Sequence, residues 1–471
     1  MMKIYNTMTR RKEELVPLDG DEVKVYVCGP TVYNYFHIGN ARPFVVFDTF
    51  RRYLEYMGKK VVFVQNFTDV DDKIIARGRE EGISSAEVAD KYIAEYFHDA
   101  AALGVQKATH HPRVTENIDT IVGFVQTLIE KGYAYEQDGD VYFDTEAFEG
   151  YGKLSGQDLG ELRAGARVEI DDRKKSPLDF ALWKRAKEGE DLFWESPWGE
   201  GRPGWHIECS AMSRKYLGET IDVHAGGQDL IFPHHENEIA QSEAANGVTF
   251  ANYWMHNGYI TISGEKMAKS KNNFFTVRDI LEDYDGEAVR YFLLAGHYRS
   301  PIDFSRELME QSKNALARMY NAKETLEHLA EKSDQPFTDG EREALEALTA
   351  HREKFVRAMD DDLNTADAIA AVFELIADVN KKTREGASRE YAGGAHSLLL
   401  ELANVLGLLV RQADAEGENG DAETEALLAE REAARAEKNW ARADEIRDLL
   451  GARGIVLKDT PQGVQIIRDK N

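Results

Sequence analysis

Residues 22–30, Glu-Val-Lys-Val-Tyr-Val-Cys-Gly-Pro, alternate as a strand does and stop at Gly-Pro. Helix-like text follows from about residue 38 to 57 and ends at Gly58. Lys-Val-Val-Phe-Val-Gln-Asn-Phe (60–67) then reads as a buried strand. Strand, helix and strand at this spacing make a βαβ unit, hence a parallel sheet that binds ligands at the carboxyl ends of its strands. Cys28 and Thr68 both fall at such ends. No G-x-G-x-x-G accompanies the unit, so a dinucleotide fold of the dehydrogenase type is not supported.

The rest of the chain extends this plan. Residues 84–136 read as helical, and 139–200 mix short strands and turns, as an insertion between two halves of a sheet would. The second half returns from Gly204 to Trp254, with Ile221-Asp-Val-His-Ala-Gly-Gly as strand and turn and a helix expected from Pro233. Tyr284 to Phe292 reads as a helix. A long stretch from about 305 to 411 carries Leu345, Leu348, Phe355 and Met359 at helical spacing and is expected to form a bundle. Asp414 to Asp421 reads as a linker, and residues 422–471 as a small unit ending in two strands around Pro461-Gln-Gly. The expected fold class is α/β: a doubly wound parallel sheet, then a helical bundle and a small C-terminal α+β unit.

Length and charge bound the function. A chain of 471 residues has room for three or four domains. No stretch approaches the ~20 apolar residues that span a bilayer. The start, Met-Met-Lys-Ile-Tyr-Asn, lacks a secretory apolar core, and two cysteines make no disulfide framework, so a cytoplasmic protein is expected. The net charge of −26 speaks to solubility, whereas local patches decide docking. Residues 412–430 hold seven acidic and no basic residues, while 431–471 hold nine basic against seven acidic. A solvated helical tail and an RNA-facing tail both fit that pattern.

Two segments carry the chemistry. Pro30-Thr-Val-Tyr-Asn-Tyr-Phe-His37-Ile-Gly39-Asn40-Ala-Arg42 runs from the first strand into a helix, and Lys266-Met-Ala-Lys269-Ser270 is a loop with two lysines three residues apart. A helix start offers N–H groups and a positive dipole end to an anion. Gly39 lets a flat base approach the backbone. His37 and Asn40 can donate to phosphate or ribose oxygens, and Lys266 and Lys269 can close on charge that develops there, with Ser270 as a supporting hydroxyl. Together they suggest a nucleotide held from both sides.

Cys28 and Cys209 are the only thiols, and each sits beside a signature segment. His234 and Glu238 stand four apart on the expected helix and so share a face. Two thiolates, an imidazole and a carboxylate suit zinc. Spacing alone leaves buried free thiols open, with His235 and Glu236 as adjacent alternatives.

The two segments resemble the HIGH and KMSKS signatures of class I aminoacyl-tRNA synthetases. The surrounding text, Asn66-Phe-Thr68-Asp69-Val-Asp71-Asp72-Lys73, Gly204-Trp205-His206-Ile-Glu208-Cys209 and Gly226-Gly-Gln-Asp229-Leu-Ile-Phe-Pro-His234-His235-Glu236-Asn-Glu238, is similar to the cysteinyl branch of that family over the whole chain. Asn40 stands where the second histidine usually is and Ala268 where the middle serine is, which implies tuning while both lysines are kept.

The resemblance implies L-cysteine, ATP and tRNA(Cys) as substrates, one Zn²⁺ per chain on Cys28, Cys209, His234 and Glu238, and Mg²⁺ with ATP. Thr68, Trp205 and Asp229 are read, consistently with the resemblance, as meeting the cysteine, with a core aromatic the alternative for Trp205, and a monomer is expected. The layout it implies is a catalytic domain in two halves (1–120 and 201–255) around a connective insertion (121–200) and a KMSKS-loop region (256–315). A bundle (316–411), an acidic linker (412–421) and an anticodon-binding unit (422–471) follow, with Trp440, Arg442, Arg447 and Arg453 available to RNA. Zinc is expected to read the substrate thiolate, because a shaped pocket separates cysteine from serine by only ~10–200-fold. Two rivals stay open: a ligase that gives the same adenylate to a small amine, and a non-catalytic RNA-binding relative. His206, His224 and His256 cluster around the signature segments and can line the site, but a lone histidine is more often structural and they are left out of the candidate set. Asp69, Asp71, Asp72 and Lys73 read as a solvated turn.

Overall fold

The computed structural model describes residues 2–157, 173–262, 264–266, 274–411, 418–451, 455–460 and 463–468. Two units divide the chain, one of residues 1–310 and 358–366, the other of 311–357 and 367–471.

In the first unit, the βαβ element expected from the sequence forms. Strand Glu22–Val27 pairs in parallel with Lys60–Gln65, and the helix Ile38–Tyr56 crosses between them. That helix turns Ile38, Ala41, Phe44, Phe47 and Phe50 into the core and ends before Gly58, whose φ of 80° suits glycine. On the other side, Glu22–Val27 pairs with Ile221–Gly227, which pairs with Ala251–Asn257. The sheet order is therefore 251–257, 221–227, 22–27, 60–65, all parallel. The winding reverses between 22–27 and 221–227, and such a switch point opens a crevice at the strands' carboxyl ends. Cys28 lies in that crevice, its N–H donating to Ala225 O at 3.3 Å.

Between the halves sits an antiparallel sheet of Ala134–Gln137, Asp140–Phe143, Phe180–Arg185 and Gly201–Pro203. The expected helical run over 84–136 is broken. Helices occupy Ser85–Ala102 and Ile118–Glu130, and the chain between them runs beside the sheet. The break comes chiefly from a distant partner: Gly104 turns at φ 67°, and His110 and Pro112 then exchange main-chain bonds with Phe63, Gln65 and Phe67 of the sheet edge. The helix expected from Pro233 begins at Glu236 instead, after an irregular turn over Ile231–His235 in which Phe232 is extended.

Outside residues 358–366, the helices Asp339–Ala347, Thr349–Asp360, Thr365–Thr383 and Arg389–Val405 belong to the second unit, with Leu348, Phe355, Leu375 and Leu402 buried. Farther on, Glu418–Ala436 and Trp440–Gly451 are helices, and Ile455–Thr460 pairs antiparallel with Gly463–Arg468. The helix thus starts inside the stretch read as an acidic linker. Residues 412–417, the rest of that stretch and Arg453 included, lie outside the described residues or have no described side chain.

Candidate functional site: a thiol, imidazole and carboxylate cluster beside a helix start

Four donors converge at the switch point. Cys28 follows the central strand, and Cys209 sits in the helix Trp205–Leu217, which leads into strand Ile221–Gly227. His234 lies in the turn and Glu238 in the first turn of the helix that follows, so the two meet although one helix does not carry both. The sulfurs lie 3.9 Å apart, Cys209 Sγ is 3.6 Å from His234 Nε2, and Cys28 Sγ is 3.5 Å from Glu238 Oε1. His234 Nε2 stands 3.0 Å from Glu238 Oε1. A tetrahedral zinc with bonds of about 2.0–2.3 Å would separate its ligands by roughly 3.3–3.8 Å. The donor atoms lie 3.0–3.9 Å apart, close to that spacing, and all four residues are at most 9% exposed.

A second group overlaps the first, made of Cys28, His224, His235 and Glu238. It offers one thiol where the first offers two. Its imidazoles are also engaged: His224 Nε2 lies 2.8 Å from Glu238 Oε2, and His235 Nδ1 lies 2.8 Å from His256 Nε2. Such contacts orient a metal ligand from behind. His206 does the same for His234, with the two Nδ1 atoms 2.9 Å apart, so His234 Nε2 faces the sulfurs. Burial holds His206 and His235 well below the usual histidine range and His256 down to about 3, so these rings are neutral. His206, His224 and His256 thus pack around the cluster. Their place beside the signature segments was the signal for them in the sequence.

Electrostatics favour a cation. Burial pushes the Cys28 thiol up, and the neighbouring Cys209 and Glu238 add to it. Cys209 is pulled down to about 6 by the hydrogen bond from Cys28, against burial and Glu238 and with help from His234. Burial would lower His234, yet Glu238 and Cys209 hold it up at about 10. With Cys209 and Glu238 both held low, a proton on His234 offsets only part of the buried negative charge. A soft-tolerant dication offsets it better with this donor set.

Thr68 is buried and donates from its hydroxyl to Glu208 Oε2 at 2.8 Å, while Asn66 Nδ2 donates weakly to it at 3.4 Å. Its remaining lone pair can only accept, which suits an ammonium. Glu208 Oε1 has no hydrogen-bond partner among the described residues. Asn66 also accepts from Gly29 N, where a Cβ would sit 1.6 Å from Asn66 O, so only glycine fits. Trp205 is 41% exposed and stacks on His234 with centroids 4.3 Å apart. Asp229 is exposed in the turn Gln228–Leu230. Asp69, expected in a solvated turn, is buried and accepts from Thr115.

On the nucleotide side, His37 caps its helix by accepting from Asn40 N at Nδ1, 3.2 Å. That bond places the ring proton on Nε2. Gly39 and Asn40 form the first turn. The backbone of Lys266 pairs with Thr261, while Lys269 and Ser270 lie outside the described residues. Of the arginines expected near RNA, Arg442 pairs with Glu430 and Glu445, Arg447 with Asp444, and Trp440 is exposed.

A parallel sheet wound from a switch point, with a His-Ile-Gly-Asn helix start on one side of it, defines a class I aminoacyl-tRNA synthetase. Residues 14–314 match the model of the class I (C) tRNA synthetase catalytic domain, 354–410 the DALR domain and 419–468 the cysteinyl-tRNA ligase anticodon binding domain. The cysteine–tRNA ligase of Clostridioides difficile (strain 630) is 58% identical over 465 residues, covering 98% of this chain and 99% of that protein. The chain belongs to the cysteine–tRNA ligase family. The fold also resembles the Mycobacterium tuberculosis methionyl-tRNA synthetase (TM-score 0.60, 16% identity, 82% of this chain and 90% of that one). The LeuRS of Agrobacterium radiobacter K84 is similar too (TM-score 0.58, 13% identity, 84% and 86%). No helix among the described residues is long and apolar enough to cross a membrane.

Proposed function

We propose that the chain activates L-cysteine with ATP and transfers the cysteinyl group to tRNA(Cys), with one Zn²⁺ held by Cys28, Cys209, His234 and Glu238 selecting the substrate. The observation that carries this is the four-donor cluster at the switch point, two thiols among the donors. When bound, zinc supplies a borderline-soft ligand site that prefers a thiolate over a hydroxyl and lowers the thiol's pKa.

The chain's own residues do the rest. Trp205 covers the cluster, Thr68 accepts from the α-ammonium, and Asp229 pairs with its charge. His37 donates from Nε2 to a phosphate oxygen, while Gly39 and Asn40 present the helix start to the nucleotide, which carries Mg²⁺. Lys266, Lys269 and Ser270 stabilise charge as the cysteine carboxylate attacks the α-phosphate, the α–β phosphoanhydride bond breaks and pyrophosphate leaves, a step that depends on positioning and charge more than covalent help. Residues 422–471 read the anticodon, and the working unit is a cytoplasmic monomer.

The test is cysteine-dependent ATP–pyrophosphate exchange, then transfer of labelled cysteine to tRNA in the same tube. Exchange with transfer supports the proposal. Exchange without transfer would point to a small-amine acceptor, and absence of both, with zinc bound, would refute it.

A further inference from the structure

Arg42 stands five residues after His37 on the same helix, and it is fully buried. Its Nη1 donates to Gly258 O at 2.7 Å and Tyr259 O at 3.0 Å, and its Nη2 to Ser300 O at 2.6 Å and His297 O at 3.2 Å. Nε has no partner among the described residues. Local propensity does not explain this residue. A cation near a helix start opposes the dipole, and a buried charge is costly unless its hydrogen bonds are made. Burial accordingly lowers the guanidinium to about 10. Four carbonyls aimed at one point form a site that a planar fork fills and a point charge does not.

What those carbonyls belong to matters. Gly258 and Tyr259 lead directly into strand Ile260–Ile262, which pairs with Glu265–Lys266 on one side and Ile302–Asp303 on the other. A Cβ on Gly258 would sit 2.7 Å from main-chain atoms of Arg299 and Ser300, so glycine is needed for that approach. Past the lysine segment the chain returns to the same helix start: Ile38 N donates to Phe275 O, Val277 N to Phe36 O, and His37 bridges Thr276. Residues on both sides of the lysine segment are thus tied to the first two turns of one helix, by backbone bonds at His37 and by Arg42.

We infer that Arg42 is a positioning residue for adenylation, its guanidinium setting the separation between the helix start that carries His37 and the strand that carries Lys266. This rests on the proposed phosphate roles of His37 and Lys266. Arg42 touches no substrate. Its effect falls on the charge-stabilising geometry of the transition state and leaves cysteine binding alone.

The test uses the full chain carrying R42A or R42K, assayed by exchange. The expected result is a kcat lower by about 100-fold in R42A, the loss that a misplacement of about 1 Å can cause. KM for cysteine and zinc content stay at wild-type values, and added guanidinium ion restores kcat where methylammonium does not. R42K is expected to fall between. Wild-type kcat in either variant, or a fall in kcat matched by lost zinc and raised cysteine KM without rescue, would overturn the inference. If R42A does not fold, R42K decides on the same kcat and KM criteria. Full exchange by H37A and K266A would instead refute the phosphate roles themselves.

Discussion

The sulfurs of Cys28 and Cys209 lie 3.9 Å apart although 181 residues separate them in the chain. The sheet explains this. Strand Glu22–Val27 delivers Cys28 to the switch point, and strand Ile221–Gly227 beside it brings the helix that carries Cys209. The pairing of two distant halves therefore builds the cluster, and any ion held there bridges both.

Replacing either thiol by serine should remove the metal. C28S and C209S are expected to purify with far less than one zinc per chain, measured by colorimetric release, while W205F keeps it. A full zinc complement in both serine variants would remove the thiols from the ligand set.

Thr68 should matter for cysteine and not for ATP. T68V removes the acceptor and leaves Glu208 facing a methyl group. One such hydrogen bond is worth about 1.5 kcal/mol, so KM for cysteine in exchange should rise roughly tenfold at unchanged KM for ATP. Equal rises in both constants would show that Thr68 acts on the fold.

Much of this was legible in the chain, and the misses share a cause. The strand at 22–30 and the helix after it followed from alternation and a Gly-Pro stop, and Cys28 and Thr68 fell where strand ends predict ligands. The break at 103–117 was hidden because its residues bond to a sheet edge that no local pattern announces. His224 and His235 gave no periodic signal either. His235 meets Cys28 only once the two halves pair, and His224 meets Glu238 only once its strand and the helix after it fold together. The same holds for Arg42, whose four acceptors come from segments over 200 residues away.

Stability should depend on His111. Its Nε2 accepts from Ala108 N at 2.9 Å and its Nδ1 donates to Gln65 O at 3.0 Å, so the neutral ring is the one that fits. Burial lowers it to about 4, against the Gln65 bond and with help from Lys107 and Arg51. The unfolded chain takes up a proton near pH 6.5 that the folded chain refuses until about pH 4. Stability should therefore fall as pH drops through that window. Urea unfolding at a series of pH values should show this in the wild type, with a flatter profile in H111Q; identical slopes would exclude His111 as the source.

The buried pair Asp48 and Arg290, 2.6 Å apart, should be costly to break. Asp48 also accepts from Arg52 and Gln106 N, so its loss leaves several donors unpaired. D48A is expected to lose about 3–5 kcal/mol of stability in urea titration, and a loss near zero would show that water replaces the carboxylate.

The most direct test of the central claim is exchange by metal-free protein offered cysteine or serine. Chelated enzyme should still bind ATP, lose cysteine-dependent exchange, and regain it on addition of zinc. Metal-free protein that continues to activate cysteine in preference to serine would contradict the account.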